Sequence, residues 1–392
     1  MMLLCLPMAL GWFLIAHATT VHCLYIGRFL TGFSGAFSML APAFVGEVAE
    51  VEIRGTLSSV MQVMTMLGLL FTYIVGALVP WHILAWICFC MPLVAFGSLA
   101  FLPQTPAHHL SRGRKDEARK ALEFYRGPNT KLIESEMQRL RGDERRTTNN
   151  LGIFYILFSS QYRNPLAQSI LLMVLQQFSG IKMISSYIVQ IFQDAGNEFD
   201  ANTSSIVVGV IHVVGSAVAV LVVDRIGRKK LLILSEFLIT VCLCTLGTHF
   251  YRIELGLFSP AWIPLASLVI YALAFSLGMG PLPWVVNSEL FAREASSTSS
   301  SWAAASNWVC SFLVVKFTPS IEADVGIGPT YLSFAGLALV GTFLIFTFVP
   351  ETKGRTEEGG GGGFVGVGQA AGGEGGGVGQ AAGGAGEGGG QV

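Results

Sequence analysis

The chain has 392 residues, of which 52% are hydrophobic and only 12% charged. Soluble domains carry about 25% charged residues, so this composition excludes an ordinary water-soluble globule and points to a chain solvated by lipid. The net charge of −1 gives no bulk attraction for nucleic acid.

Runs of about 20 apolar residues, long enough to cross a bilayer, recur about ten times. They lie near 3–19, 22–45, 56–79, 83–102, 165–191, 203–223, 230–250, 259–288, 298–318 and 328–349. The first run lacks a basic n-region and contains Pro7, so it reads as a spanning helix and not as a leader. The seven cysteines are odd in number and lack metal-site spacing, and all but Cys23 lie within apolar runs. They read as small apolar residues. Eleven of the 24 Lys and Arg fall between Arg112 and Arg146, and Arg225, Arg228, Lys229 and Lys230 form a second cluster. By the positive-inside rule both termini are expected in the cytoplasm.

The basic stretch divides the chain. Each half carries a Glu ending a helix, Glu47 and Glu289, and each closes on a related tetrapeptide, Pro103 to Pro106 and Pro350 to Lys353. That pattern is a parallel internal repeat. Asp224 to Lys229 lies 65 residues before Glu289, and the same distance before Glu47 falls ahead of Met1. The first half is therefore expected to hold four helices where the second holds six. The expected organisation is an N-terminal bundle at 1–102, a charged linker with surface helices at 103–163, a C-terminal bundle at 164–358 and a Gly-rich tail at 359–392. Nothing in the tail can bury a core, and it is expected to be disordered.

Within the fifth run, Gln176-Gln177-Phe178-Ser179-Gly180 places two adjacent amides among apolar residues. Polar side chains at membrane depth face a bundle interior or a water-filled cavity. On a continuous helix Gln176, Ser179, Gly180, Met183 and Tyr187 share one face. Two readings stand for this face: packing of helices glued by small and amide residues, or a polar lining for a hydroxyl-rich solute. No nucleophile–base set and no metal cluster is present, so neither an enzyme nor a cofactor is expected.

Several further stretches complete a pattern: Gly27-Arg28, Pro42 to Glu47, Arg54-Gly55, Gln62, Gln176 to Ile181, Asp224 to Lys229, Gly278 to Trp284, Glu289, Asn307-Trp308 and Pro350 to Gly354. In this order the chain resembles the sugar porters of the major facilitator superfamily, near insect trehalose and animal glucose carriers, from about residue 3 to Arg355. The resemblance implies an all-α integral membrane fold of two pseudo-repeated bundles, with about ten of the family's twelve helices. It implies facilitative transport of a hexose or trehalose by alternating access, in a multi-pass protein of the plasma membrane. The implied partners are a small sugar and the lipid bilayer, with no nucleic acid.

The resemblance also implies residue roles. Gln62, Gln176, Gln177, Trp284 and Asn307 match positions that hydrogen-bond or stack on the sugar, and Lys182 and His212 stand where the family usually has Asn. Arg28, Gly280, Pro281 and Pro283 match gating positions. Glu47, Arg54, Asp224, Arg228, Lys229, Glu289 and Glu351 match a charge network that latches the two halves. Physical chemistry is compatible with these roles: amides both donate and accept, and an indole offers a flat apolar face. Departures include Gln104, Ala107 and Ser296-Ser297 where latch charges are expected, and Ser276, for which the sequence offers no reading. Asn202-Thr203-Ser204 is a glycosylation acceptor on the expected outer side. Two alternatives stay open: a truncated or degenerate scaffold without transport, and a proton-coupled symporter.

Overall fold

In a bilayer every backbone N–H and C=O must be paired within the protein, which for apolar runs of this length selects the α-helix. A computed structural model describes residues 1–36, 40–41, 44–45, 48–49, 54–127, 133–140, 159–194, 200–291 and 293–352, without the side chains at 36, 54–56, 58–59, 160, 224 and 293–297. Glu47 and the Gly-rich tail lie outside the described residues, as do the side chains of Arg54 and Asp224.

Every regular element described is helical. The first group is α1 (Met2–Ala16), α2 (Val21–Phe33), α3 (Arg54–Leu78) and α4 (Trp81–Ala100). Two short helices follow, α5 (Pro106–Ser111) and α6 (Lys115–Arg126). The second group is α7 (Ser160–Phe178), α8 (Ile181–Asp194), α9 (Ala201–Ile226), α10 (Arg228–Glu254), α11 (Ile263–Leu277), α12 (Leu282–Leu290), α13 (Arg293–Val325) and α14 (Ile327–Phe348).

Among the described residues six stretches are long and apolar enough to cross a membrane: Val60–Leu78, Trp81–Ala100, Ala201–Val223, Arg228–Glu254, Ile263–Leu290 and Ile327–Phe348. The other four expected spans meet shorter or more polar helices. α1 has 15 residues and α2 has 13, the run at 165–191 is divided between α7 and α8, and that at 298–318 lies inside a 33-residue helix with a Ser-rich start. Large apolar side chains point outward along α3, α9, α13 and α14, as lipid solvation allows.

Helix α1 packs on α2 and α4, α3 packs on α9, and α9, α10, α11 and α14 form a continuous stack. α1 and α2 meet backbone to backbone, since a Cβ on Gly27 would lie 2.8 Å from the Gly11 carbonyl oxygen. The largest buried cluster is in the second group, around Met183, Leu232, Leu243, Tyr271 and Phe334. Leu110, Ala118, Leu122, Ile133 and Met137 form a separate small core that holds α5, α6 and the helical segment 133–140 together.

Helices α10 and α14 cap each other. Glu351, just past α14, accepts from the backbone N–H of Arg228 (3.0 Å) and Lys229 (3.3 Å) at the start of α10. Glu254, the last residue of α10, accepts from the N–H of Gly328 (3.0 Å) at the start of α14. The residue before each helix is a glycine in the left-handed region, Gly227 (φ 103°) and Gly326 (φ 102°). Neither glycine has a side chain to cap its own helix, so a carboxylate from the antiparallel neighbour satisfies the orphan donors and meets the positive end of the helix dipole.

Candidate functional site

The expected single helix at 165–191 is broken. Helix α7 ends at Phe178, Gly180 turns with φ 87°, and α8 starts at Ile181. The face shared by Gln176, Ser179, Gly180, Met183 and Tyr187 on a continuous helix is therefore interrupted at Gly180. Four residues from Gly278 to Pro281 likewise separate α11 from α12, where two glycines remove side-chain bulk and Pro281, with Pro283 in the first turn of α12, removes backbone donors.

Each break is satisfied by the other broken helix. Gln176 Nε2, on α7, donates to the carbonyls of Met279 (2.7 Å) and Gly280 (2.9 Å) in the α11–α12 break. The Tyr271 hydroxyl, on α11, donates to the Ser179 carbonyl (3.1 Å) in the α7–α8 break.

The other end of Gln176 joins a closed set of amides. Asn307 Nδ2 donates to Gln176 Oε1 (2.8 Å) and to the Met173 carbonyl (3.2 Å), while Gln177 Nε2 donates to Asn307 Oδ1 (3.0 Å). All three side chains are buried, and Gln177 Oε1 has no hydrogen-bond partner among the described residues. The cluster thus couples α7 to α13 and α7 to the α11–α12 break, with one acceptor unspent.

The remaining expected binding residues stand apart. Lys182, half-buried on α8, holds its ammonium 5.5 Å from the centroid of the Trp308 ring. His212 is buried on α9, with Nδ1 2.9 Å from Ser276 Oγ on α11, and so is engaged away from the amides. Trp284 is half-buried in the first turn of α12, and Gln62 is half-buried on α3. Asn202 lies in the first turn of α9 with its Ser204 hydroxyl buried, and Asp200 caps that turn through the Thr203 N–H at 2.9 Å. This geometry does not present the glycosylation acceptor as an open, extended segment.

Among the expected latch residues, Arg228 pairs with Glu289 Oε1 at 3.2 Å while its backbone N–H is bound by Glu351. Lys229 Nζ sits 5.6 Å from the Phe346 ring centroid, and Arg28, exposed, lies 6.0 Å from that of Trp12. Four polar partners escaped sequence reasoning. Ser276 receives His212, and Ser169 donates to Asn287 Oδ1 (2.5 Å), whose Nδ2 donates to Ser300 (3.0 Å). Isolated Ser and Asn in apolar runs were the available signal, but spacing alone does not pair them.

The family model described as "Sugar (and other) transporter" matches residues 1–359. The chain belongs to that family. It is a multi-pass membrane protein of a transporter family, not of an enzyme family. Among its relatives, the facilitated trehalose transporter Tret1 of Apis mellifera ligustica is 36% identical over 90% of this chain and 71% of the relative. Tret1 of Culex quinquefasciatus is also 36% identical, over 90% of this chain and 69% of the relative. A solved proton:xylose symporter of the major facilitator superfamily superposes with a TM-score of 0.73 at 25% identity, over 91% of this chain and 81% of that one. The helical sugar-porter fold expected from the motifs is therefore the fold of this family member.

Proposed function

We propose that this sugar-transporter family member carries a neutral sugar, a hexose or trehalose, by facilitated alternating access, with Gln176, Gln177 and Asn307 as the binding core. One observation carries the reading. The amide that would greet a sugar hydroxyl, Gln176, also holds the carbonyls of the α11–α12 break. A hydroxyl that recruits Gln176 competes with that tie, so binding and rearrangement of the broken helix become one event. Discontinuous helices commonly line substrate sites in transporters. Trp284 lies just past the same break and is suited to stack on a pyranose face. The similarity to trehalose transporters supports the substrate class.

In this reading the bundles 1–102 and 164–358 rock about the site, the linker 103–163 lies in the cytoplasm with both termini, and the carrier works in the plasma membrane. Arg228, Glu289 and Glu351 close one end, together with Glu47, Arg54 and Asp224, while Gly280, Pro281 and Pro283 supply the hinge. The test is uptake of labelled glucose and trehalose by a transport-null host expressing the full chain at its surface. Uptake that saturates, is equal in both directions and falls in Gln177→Ala is the expected result. Surface expression without uptake of either sugar sinks the proposal.

A further inference from the structure

Glu236 is a charged residue type, the ninth of the 27 residues of α10, that takes no part in the amide cluster or the charge network. Its exposure is 0%, and neither carboxyl oxygen has a hydrogen-bond partner among the described residues. The side chain points at Gly341 on α14, where an added Cβ would lie 3.0 Å from Glu236 Oε1 and 3.1 Å from a methyl of Leu175 on α7. Three helices thus meet at this carboxyl. α10 and α14 are held in register at both ends by their mutual caps, and the neighbouring Ser235 is fixed to α11 through the Ala274 carbonyl (2.7 Å) and the Met279 N–H (3.0 Å). The carboxyl cannot move out to water without disturbing these contacts.

No cation faces it. The titratable groups on the surrounding helices include Tyr271 on α11, Tyr331 on α14, and Cys242 one and a half turns along α10. Ile263–Leu277 and Ile327–Phe348 contain no charged residue, and in α7 only Arg163, in the first turn, is charged. An ionised carboxylate left without donor or counter-ion at this depth is far more costly than a neutral acid. Such a group holds a proton or leaves the site.

We propose that Glu236 is a proton-binding site of the C-terminal helices, occupied in the packed state described here. The proton is the ligand, and the carboxyl is its acceptor. Because Leu175 shares the hole beside Gly341 and precedes Gln176, opening this corner to water displaces the helix that carries the amides. Release of the proton is then linked to a change of conformation, and sugar affinity to pH. That last link rests on the sugar-carrier reading, whereas the proton site does not.

Infrared spectra of the purified full chain test the site directly. A protonated-carboxyl C=O band is expected at neutral pH in the wild type, lost in both E236Q and E236L and kept in E289Q. The Leu variant covers the case in which Gln fails to fold, since an apolar side chain suits the site. Absence of the band in the wild type, or its persistence in both variants, overturns the proposal. Glucose and trehalose binding supplies the second arm. Affinity is expected to change by up to about tenfold per pH unit in the wild type, the limit for one linked proton, and to be flat in E236Q. Equal pH dependence in the two proteins overturns the link. The expected bands with no sugar binding in any protein support the proton site and count against the sugar-carrier reading.

Discussion

Truncating Asn307 to Ala removes three bonds from the amide cluster: two donated, to Gln176 Oε1 (2.8 Å) and the Met173 carbonyl (3.2 Å), and one accepted, from Gln177 Nε2 (3.0 Å). Gln176 Oε1 is then left with a single long contact from Gln177 Nε2 at 3.5 Å. Each buried group stranded in this way costs about 1–3 kcal/mol, whereas a made amide–hydroxyl bond contributes about 0.5–1.5 kcal/mol net. If the cluster binds sugar, Asn307→Ala should weaken glucose or trehalose binding about 2- to 13-fold. Gln177→Ala should do the same. The decisive quantity is the double variant. Because Gln177 and Asn307 bond each other, the second truncation has less left to remove, and the losses should fall short of additivity by about 0.5–3 kcal/mol. The assay is a sugar titration of purified protein followed by tryptophan fluorescence, with Trp284 and Trp308 half-buried or exposed beside the broken helices. Losses that add to within about 0.5 kcal/mol, or wild-type affinity in both single variants, refute a shared binding network.

Glu351→Ala removes both acceptors at the start of α10 and should lower stability by about 0.5–2 kcal/mol, the range for a lost helix cap; a melting temperature equal to wild type would show that water replaces the carboxylate. Arg228→Ala leaves Glu289 partly buried and unpaired, so it should slow uptake more than Arg228→Ala combined with Glu289→Gln does; uptake equally slow in both would remove the pair from the latch. Lys182→Asn gives up a contact with Trp308 worth about 0.5–1 kcal/mol at such a half-exposed site and replaces a pure donor with a group that also accepts. Uptake of neutral sugar should rise, and unchanged uptake in an active carrier would place the lysine outside the path.

The helical membrane architecture was legible because lipid leaves the backbone few choices, and apolar length alone reports them. The break at Gly278 to Pro281 carries a local signal in its glycines and proline, although the apolar run 259–288 reads as one span. The break at Gly180 has no such signal: one glycine within an apolar run is compatible with a continuous helix, and the turn is held by contacts such as that of Tyr271 with the Ser179 carbonyl, which comes from another helix. Gln176, Gln177 and Asn307 were each visible as polar residues at membrane depth, but their mutual bonds join positions 130 and 131 residues apart. Lys182 and His212 show how little a position along one helix says about its partners. Their partners, Trp308 and Ser276, are set by which neighbouring helix each faces, and sequence spacing along one helix carries no such information.

The two reciprocal arrangements divide the C-terminal helices by function. Helices α10 and α14 satisfy each other's N-termini with carboxylates at both ends, so sliding one past the other would expose orphan donors at both ends together. That pair resists relative motion. The pair of broken helices is tied differently. Its ties run from a side-chain amide and a phenol to carbonyls in the breaks themselves, and amide and hydroxyl donors are the groups a sugar can replace or recruit. On the proposed reading, a hydroxyl competing for Gln176 would free Met279 and Gly280, and movement at that break would pull on α11, whose Tyr271 holds the Ser179 carbonyl. The break in α7–α8 then loses its own donor. One exchange of hydrogen-bond partners could therefore reach both discontinuous helices, and through Ser235, which holds the Met279 N–H (3.0 Å), it would also reach α10. On the proposed sugar-carrier reading, a site so wired would report occupancy as a change of helix geometry, which is the physical requirement for a carrier as distinct from a binding protein.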